Sequence, residues 1–498
     1  MPLYLKAKRF DLSSGGEPIA VLNEAEADSY GIQAGDRVEL SWKDGGKAVV
    51  AVELSQAKVN PGQIGLWREA WQSSKLKNDV ILEVAQLSRP PSIQAIKKKL
   101  VGDELSYNEI HSIISDIVQN RLSPVEMTYY VASGFVKPNT DEELYFLTKA
   151  IAETGEQMNL PIEAVDKHSV GGLPGNRVTM IVTPIIASLG LYMPKTSSRA
   201  ITSPAGTADT MEVLAPVSFN MTQIREIVRK TRACLVWGGG LNIAPADDRI
   251  IKLSRPLAME PYDKMLVSIM AKKVAMGVDY LVIDMPIGET AKIPSRKVAD
   301  QLEQKFVYLG KRFNMKVRVI KTIAREPIGR GIGPALEARD VLRLLQQKPL
   351  KPRDLEDKAA YFAGELLELK GFCRKGEGER VARRQLESGA AWHKMQEIIE
   401  AQGGNPNLDS EAVATGAYHY EIHAENAGRI TLVDSKAINE VCMNLGAPRE
   451  KIAGLHLHAH AGDRVDKGTK LFTLYAPTKE RLELGLKSLE STTIMTIK

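Results

Sequence analysis

A chain of 498 residues exceeds what one hydrophobic core supports, so several domains are expected. Hydrophobic residues make up 44% and charged residues 26%, a globular balance that excludes a fibrous or disordered chain, and no apolar run is long enough to span a bilayer as a helix. The net charge of +5 is slight for this length, so it argues against a nucleic-acid binder while suiting small anionic substrates.

Residues 1–86 read as a β-rich domain, with strand-like runs at Leu5–Phe10 and Ala48–Leu54 and turn glycines at Gly31 and Gly35. The first residues, M-P-L-Y-L-K-A-K-R-F, lack the apolar segment of a signal peptide. Cys234, Cys373 and Cys442 lie far apart without metal-ligand spacing, so a reduced, cytoplasmic setting and no metal are expected. Ser88-Arg-Pro-Pro-Ser92 reads as a linker, and Lys97-Lys98-Lys99 as a solvated helix face or part of that linker. Residues 99–163 carry three helix starts. Ser106-Tyr-Asn-Glu109 and Thr140-Asp-Glu-Glu143 are capping boxes, and Ser123 is followed by Pro124 at the first helical position.

From residue 164 to 400 short apolar strands alternate with helical segments: Ala233–Trp237, Tyr280–Asp284 and Val317–Ile320. Strands this apolar predict an α/β domain with a mostly parallel sheet covered on both faces. Gly329-Arg-Gly-Ile-Gly333 precedes a helix and reads as a turn rather than a phosphate loop. Residues 415–498 predict an α+β domain, with turn, strand, turn and strand over Ala461–Leu474. His456, His458 and His460 alternate and would share one face of a strand, but no cysteine stands near them at ligand spacing.

Three stretches carry chemistry. Thr196–Leu214 holds seven hydroxyls (Thr196, Ser197, Ser198, Thr202, Ser203, Thr207, Thr210) around Arg199, then runs into a helix. Backbone donors and hydroxyls at a helix entrance make an anion site, although a solvated loop has the same composition. Asp166–Arg177 reads D-K-H-S-V-G-G-L-P-G-N-R and Trp237–Arg249 reads W-G-G-G-L-N-I-A-P-A-D-D-R. Together K-H-S-x-G-G, S-x-R…G-T-x-D-x-x-E and A-P-A-D resemble the family of thymidine and pyrimidine nucleoside phosphorylases over roughly residues 100–490. The form S-S-R-A-I-T-S-P-A-G-T-A-D-T-M-E, with an N-terminal extension, is similar to the AMP phosphorylase branch.

That resemblance implies phosphorolysis of nucleoside 5′-monophosphates, AMP plus phosphate giving adenine and ribose 1,5-bisphosphate, with CMP and UMP as further substrates. It assigns the phosphate to Lys167, Ser169, Thr179, Ser197 and Thr207. It assigns AMP to Gly172, Ser198, Arg199, Ala200, Ile201, Thr202, Ser203, Thr207, Ser268 and Lys292. Glu260 stands where the branch carries an aspartate proton donor, with Asp263 as its rival, and His168 is a second catalytic candidate. Asp209 and Glu212 are expected to orient the loop, and Arg255 matches a base-side arginine. The resemblance further implies a double-psi-like N-terminal barrel and a homodimer or larger homo-oligomer. It implies no cofactor beyond the co-substrate phosphate, no metal, no nucleic acid and no membrane. The alternatives are a thymidine or pyrimidine nucleoside phosphorylase, a phosphoribosyltransferase, for which no acidic pair to hold Mg²⁺ is visible, and a nucleotide-binding assembly module.

Overall fold

The computed structural model describes the chain except residues 1–2, 44, 75, 160, 201–202, 255–261 and 289–290. It divides into two compact units, residues 1–154 with 245–261, and residues 155–244 with 262–498.

In the first unit, six strands close a barrel. They are β1 (Leu3–Arg9), β2 (Ile19–Asn23), β3 (Arg37–Ser41), β4 (Lys47–Ser55), β5 (Gln63–Leu66) and β6 (Ile81–Gln86), ordered β1-β5-β2-β4-β3-β6. Alternation decides which side chains fill it: Leu3, Leu5 and Ala7 of β1 point inward while Tyr4 and Lys6 face out. Two short helices, α1 (Glu24–Ser29) and α2 (Arg68–Ser74), belong to this part.

A helical bundle follows: α3 (Ser92–Leu100), α4 (Tyr107–Val118), α5 (Pro124–Val136) and α6 (Asp141–Glu153), joined by a later helix over Pro245–Ser254, α10 in chain order. The starts at Ser106, Ser123 and Thr140 are capping boxes with both reciprocal bonds present. The expected linker is shorter than its prolines suggested, because Ser92 is already helical. Lys99 also departs from a solvated face. It is 2% exposed, and its ammonium lies 2.7 Å from Glu143, the same carboxylate that caps α6 and accepts the Leu105 N–H. A polar run thus hid one inward position, set by the helical period of Ile93, Ile96 and Lys99.

The second unit is built on parallel strands. These are β7 (Ala164–Ser169), followed by α7 (Val178–Ser188); β8 (Met193–Ser197), followed by α8 (Thr207–Met211) and α9 (Met221–Thr231); β9 (Ala233–Trp237); β10 (Val278–Ile287), preceded by α11 (Tyr262–Ala275); and β11 (Lys316–Ile323), preceded by α12 (Arg296–Arg312). One sheet runs β11-β10-β7 and another β8-β9, all parallel, and they meet where Val165 donates to the Tyr192 carbonyl at 2.9 Å. Val165, Leu235 and Val282 are at most 1% exposed, as expected of strands covered on both faces. After β12 (Gly331–Ile332), the helices α13 (Pro334–Leu345), α14 (Arg353–Lys370), α15 (Gly378–Glu387) and α16 (Ala390–Ala401) complete this core. The glycine turn before α13 is held by carboxylates: Gly329 donates to Asp354, and Arg330 and Gly331 donate to Asp340.

The C-terminal part comprises β13 (Tyr418–His423), β14 (Gly428–Val433), α17 (Ser435–Leu445), β15 (Gly454–Leu457), β16 (Arg464–Val465), β17 (Lys470–Ala476), α18 (Lys479–Ser488) and β18 (Met495–Ile497). Its larger sheet is antiparallel, β12-β15-β17-β13. The three histidines do not all stand on one strand, because β15 ends at Leu457, although the His456 and His458 rings lie 4.8 Å apart. The His458 ring pairs with the Thr473 hydroxyl at 2.8 Å, and His460 lies 3.4 Å from Glu326. Among the described residues no group of three His, Cys, Asp or Glu is placed to hold a metal ion.

Candidate active site

Because β7, β8, β9 and β10 run parallel, their C-terminal ends and the loops that leave them share one edge, the place where open α/β sheets bind ligands. The loop after β7 turns through Gly171 and Gly172, both in the left-handed region at φ +88° and +90°. A Cβ on Gly172 would sit 2.7 Å from the Lys292 backbone nitrogen, so glycine here lets the Lys292 segment pack directly onto the loop.

The loop after β8 is folded around one carboxylate. Asp209 accepts the N–H groups of Ala200 (2.7 Å) and Gly206 (2.9 Å), and pairs with Arg199 (3.2 Å) and Lys451 (3.1 Å), while only 3% exposed. Arg199, which the resemblance assigns to AMP, is engaged by the carboxylates of its own motif. It makes two 2.6 Å bonds to Glu212 and stacks 4.9 Å from the Trp237 ring centroid, which fits the loop-orienting role expected of Asp209 and Glu212. Ser203 donates to the Ala205 carbonyl, and Ser198 carries the carbonyl that accepts Ala208. Ile201, Thr202, Arg255 and Glu260 lie outside the described residues.

Beneath these loops sits a buried polar network. Asp284, on β10, is fully buried; one of its oxygens meets Lys167 (3.4 Å), Lys358 of α14 (3.1 Å) and the Asn176 amide (3.2 Å), and the other accepts Thr322 (2.9 Å). Asn176 also donates to Ser169 at 3.3 Å. The next residue, Arg177, donates to Thr207 (3.1 Å) and the Ala205 carbonyl (2.6 Å) and pairs with Glu337 of α13. Thr179 lies in the first turn of α7. Lys167, Ser169 and Thr207 are therefore linked through Asn176 and Arg177. Among the described residues, the buried Ser197 hydroxyl and the Asn176 carbonyl oxygen have no hydrogen-bond partner. Polar atoms left unpaired at the end of a strand are what a ligand-binding edge requires.

Profiles of known families cover most of the chain. Residues 93–155 match the helical bundle domain of a glycosyl transferase family, 162–392 its α/β domain, and 429–495 a pyrimidine nucleoside phosphorylase C-terminal domain. An AMP phosphorylase of Methanocella arvoryzae is 40% identical over 486 residues, 97% of this chain and 96% of its own. One of Pyrococcus furiosus is 41% identical over 482 residues, 97% and 95% of the two chains. The chain belongs to the AMP phosphorylase family. The fold is also that of anthranilate phosphoribosyltransferase from Thermus thermophilus, with a TM-score of 0.51 at 18% identity over 62% of this chain and 99% of the other.

Within this AMP phosphorylase family member, the remaining candidates divide. His168 is half-buried; desolvation first, and then the charges of Lys273, Lys195, Lys167 and Lys272, hold its pKa well below the ordinary histidine value. A neutral imidazole can exchange hydrogen bonds but has no imidazolium proton to give at neutral pH. Ser268 and Lys272 face each other one turn apart on α11, at 3.4 Å. Asp263 is held by Lys305 at 2.5 Å. The residues that sequence reasoning passed over are Asp284, Lys358, Asn176, Arg177, Lys195 and Lys273. Asp284 had a legible signal, a lone charge ending the apolar run Leu-Val-Ile-Asp. Lys358 had none, since a lysine on an amphipathic helix is ordinary.

Proposed function

We propose that this site carries out the phosphorolysis of AMP to adenine and ribose 1,5-bisphosphate, and that CMP and UMP are turned over at the same site. The observation that carries the reading is the anion-ready edge: two ammonium groups on the one carboxylate of Asp284, with the Ser197 hydroxyl unpaired at the end of β8. Relatives of the same length at 40% identity bear the name AMP phosphorylase.

Inorganic phosphate is held by Lys167, Ser169, Thr179, Ser197 and Thr207. One of its oxygens forms the bond to C1′ as the C1′–N9 bond breaks, and the bonding pair leaves with the base. Glu260 supplies the proton or hydrogen bond that makes adenine an adequate leaving group. The protein contributes mainly position and charge, because no covalent intermediate is needed. The Ser198–Ser203 loop receives the 5′-phosphate, with Thr202 and Ser203 as donors and Arg199 as the strut that shapes it; Gly172, Ser268 and Lys292 line the nucleoside. The barrel serves as a double-psi-like assembly domain of a homo-oligomer acting in the cytoplasm.

The test is release of free base from AMP, CMP, UMP, adenosine and thymidine in the presence of phosphate. Efficient release from AMP and little from adenosine or thymidine is expected. A site built to bond the 5′-phosphate discriminates by about 10⁴-fold against ligands that lack it. Thymidine cleaved as well as AMP would replace this reading with a nucleoside phosphorylase.

A further inference from the structure

We propose that Lys358 is a second ammonium of the phosphate subsite, held ready beside Lys167 on the shared carboxylate of Asp284. This rests on the phosphorolytic reading of the site. Lys167 and Asp284 are at most 1% exposed in their side chains and Lys358 is 13% exposed. One carboxylate cannot neutralise two ammonium groups. Asp284 moreover divides itself among four donors, with Lys167 at 3.4 Å, Lys358 at 3.1 Å, Asn176 at 3.2 Å and Thr322 at 2.9 Å. A surplus positive charge this deep is costly unless an anion joins it.

The surroundings add to that cost. Phe362 lies one turn beyond Lys358 on α14, and its ring centroid is 5.0 Å from the Lys167 ammonium and 5.7 Å from that of Lys358. The ring gives both cations an apolar floor that attracts them weakly through its face but cannot discharge them. Asn176 bridges the pair to the glycine loop, since its amide reaches both Asp284 and Ser169. Lys358 is the more accessible of the two cations, and its stem is the more flexible anchor because it rises from a helix rather than a strand core. A phosphate arriving at Ser169 thus completes the charge balance that Asp284 leaves open, and Lys358 can swing from the carboxylate to it.

The experiment compares wild type with Lys358→Met, which keeps the stem and removes the charge, and with Lys358→Arg. Binding of inorganic phosphate is measured by calorimetry, and the KM values for phosphate and AMP by adenine release. Lys358→Met should weaken phosphate binding and raise the phosphate KM on the order of 10–100-fold, the range for losing a hydrogen bond to a charged group. The KM for AMP should stay unchanged, and Lys358→Arg should recover most of the loss. Should Lys358→Met fold poorly, Lys358→Gln gives the same comparison with a polar stem. Unchanged phosphate binding in the folded Met or Gln variant overturns the proposal while leaving AMP phosphorolysis by the wild type intact. Failure of the wild type to release adenine overturns the functional reading instead.

Discussion

Asp209 offers the most direct test of how the β8 loop works. Its carboxylate takes the N–H groups of Ala200 and Gly206 at 2.7 and 2.9 Å, so it pins both ends of the segment proposed to hold the 5′-phosphate. A Cβ on Gly206 would come within 2.5 Å of the Ser198 carbonyl, which shows how tightly the segment closes on itself. Asp209→Ala removes these two charge-assisted bonds, along with the pairings to Arg199 and Lys451, and leaves two half-buried N–H groups unpaired. At about 1.5–3 kcal/mol for each such bond, the loop's bound form loses about 3–6 kcal/mol. If that loss falls on the transition state, kcat/KM for AMP drops on the order of 10²–10⁴-fold.

Asp209→Asn separates the parts of this effect. The amide oxygen can still accept both backbone N–H groups, while its NH₂ is set against Arg199 and Lys451. It should therefore lose less than the alanine variant. The assay is adenine release under varied AMP at saturating phosphate, with the phosphate KM as a reference. Asp209→Ala within a few-fold of wild type would show that the loop does not need this knot, and would refute the 5′-phosphate site placed on it.

Three further outcomes follow from other parts of the structure. Burial, together with the charge of Lys358, holds the Lys167 pKa down to about 8 against the attraction of Asp284, so kcat/KM for phosphate should fall as pH rises through that value, and Lys167→Arg should abolish the basic limb if it keeps activity. Gly172→Ala should lower activity and raise the KM for AMP, because its φ of +90° and the Lys292 nitrogen 2.7 Å from the new Cβ both resist the methyl; wild-type kinetics would refute the close approach. Glu143→Gln should destabilise the bundle by about 3–5 kcal/mol, the cost of breaking a buried ion pair, read as a lower denaturation midpoint, and unchanged unfolding would refute the pairing with Lys99.

The elements were legible in the sequence wherever a local rule governs them. Capping boxes at Ser106 and Thr140 mark real helix starts, and Ala233–Trp237 is a strand to the residue, because cap chemistry and apolar runs act over a few positions. What was not legible depends on pairing across the fold. Lys99 reads as solvated until Glu143, 44 residues later, is seen to face it. The pairing of Lys358, a cation on an ordinary amphipathic helix, with Asp284 emerges only once α14 packs against β10. The histidines read as one face only while the strand is assumed to continue past Leu457. Asp209 and Glu212 were legible as loop-orienting carboxylates because they lie within the same motif, whereas Asp284, 117 residues from Lys167, carries no spacing signature.

Those carboxylates explain why β7 is the centre of the site. Successive residues on a strand point to opposite faces, so Asp166 and Lys167 address different sides of the sheet. On one side Asp166 holds two ammonium groups, Lys195 at 3.1 Å and Lys273 at 2.6 Å. On the other, Asp284 holds Lys167 and Lys358. Each face thus carries one carboxylate against two cations, and the sheet edge has a surplus of positive charge above and below. Lys195 shows the strain of this arrangement, its pKa pushed down to about 7 chiefly by burial. Asp166 and Asp284 lie below the usual carboxylate range despite burial, because the lysines outweigh it. Their stabilising contribution is therefore complete above the ordinary carboxylate pKa of about 4 and is lost as the pH falls through their lowered folded-state values. A chain whose net charge is only +5 has concentrated four lysines around the two carboxylates Asp166 and Asp284. Burial first, and then the neighbouring lysines, hold the His168 pKa well below the ordinary histidine value.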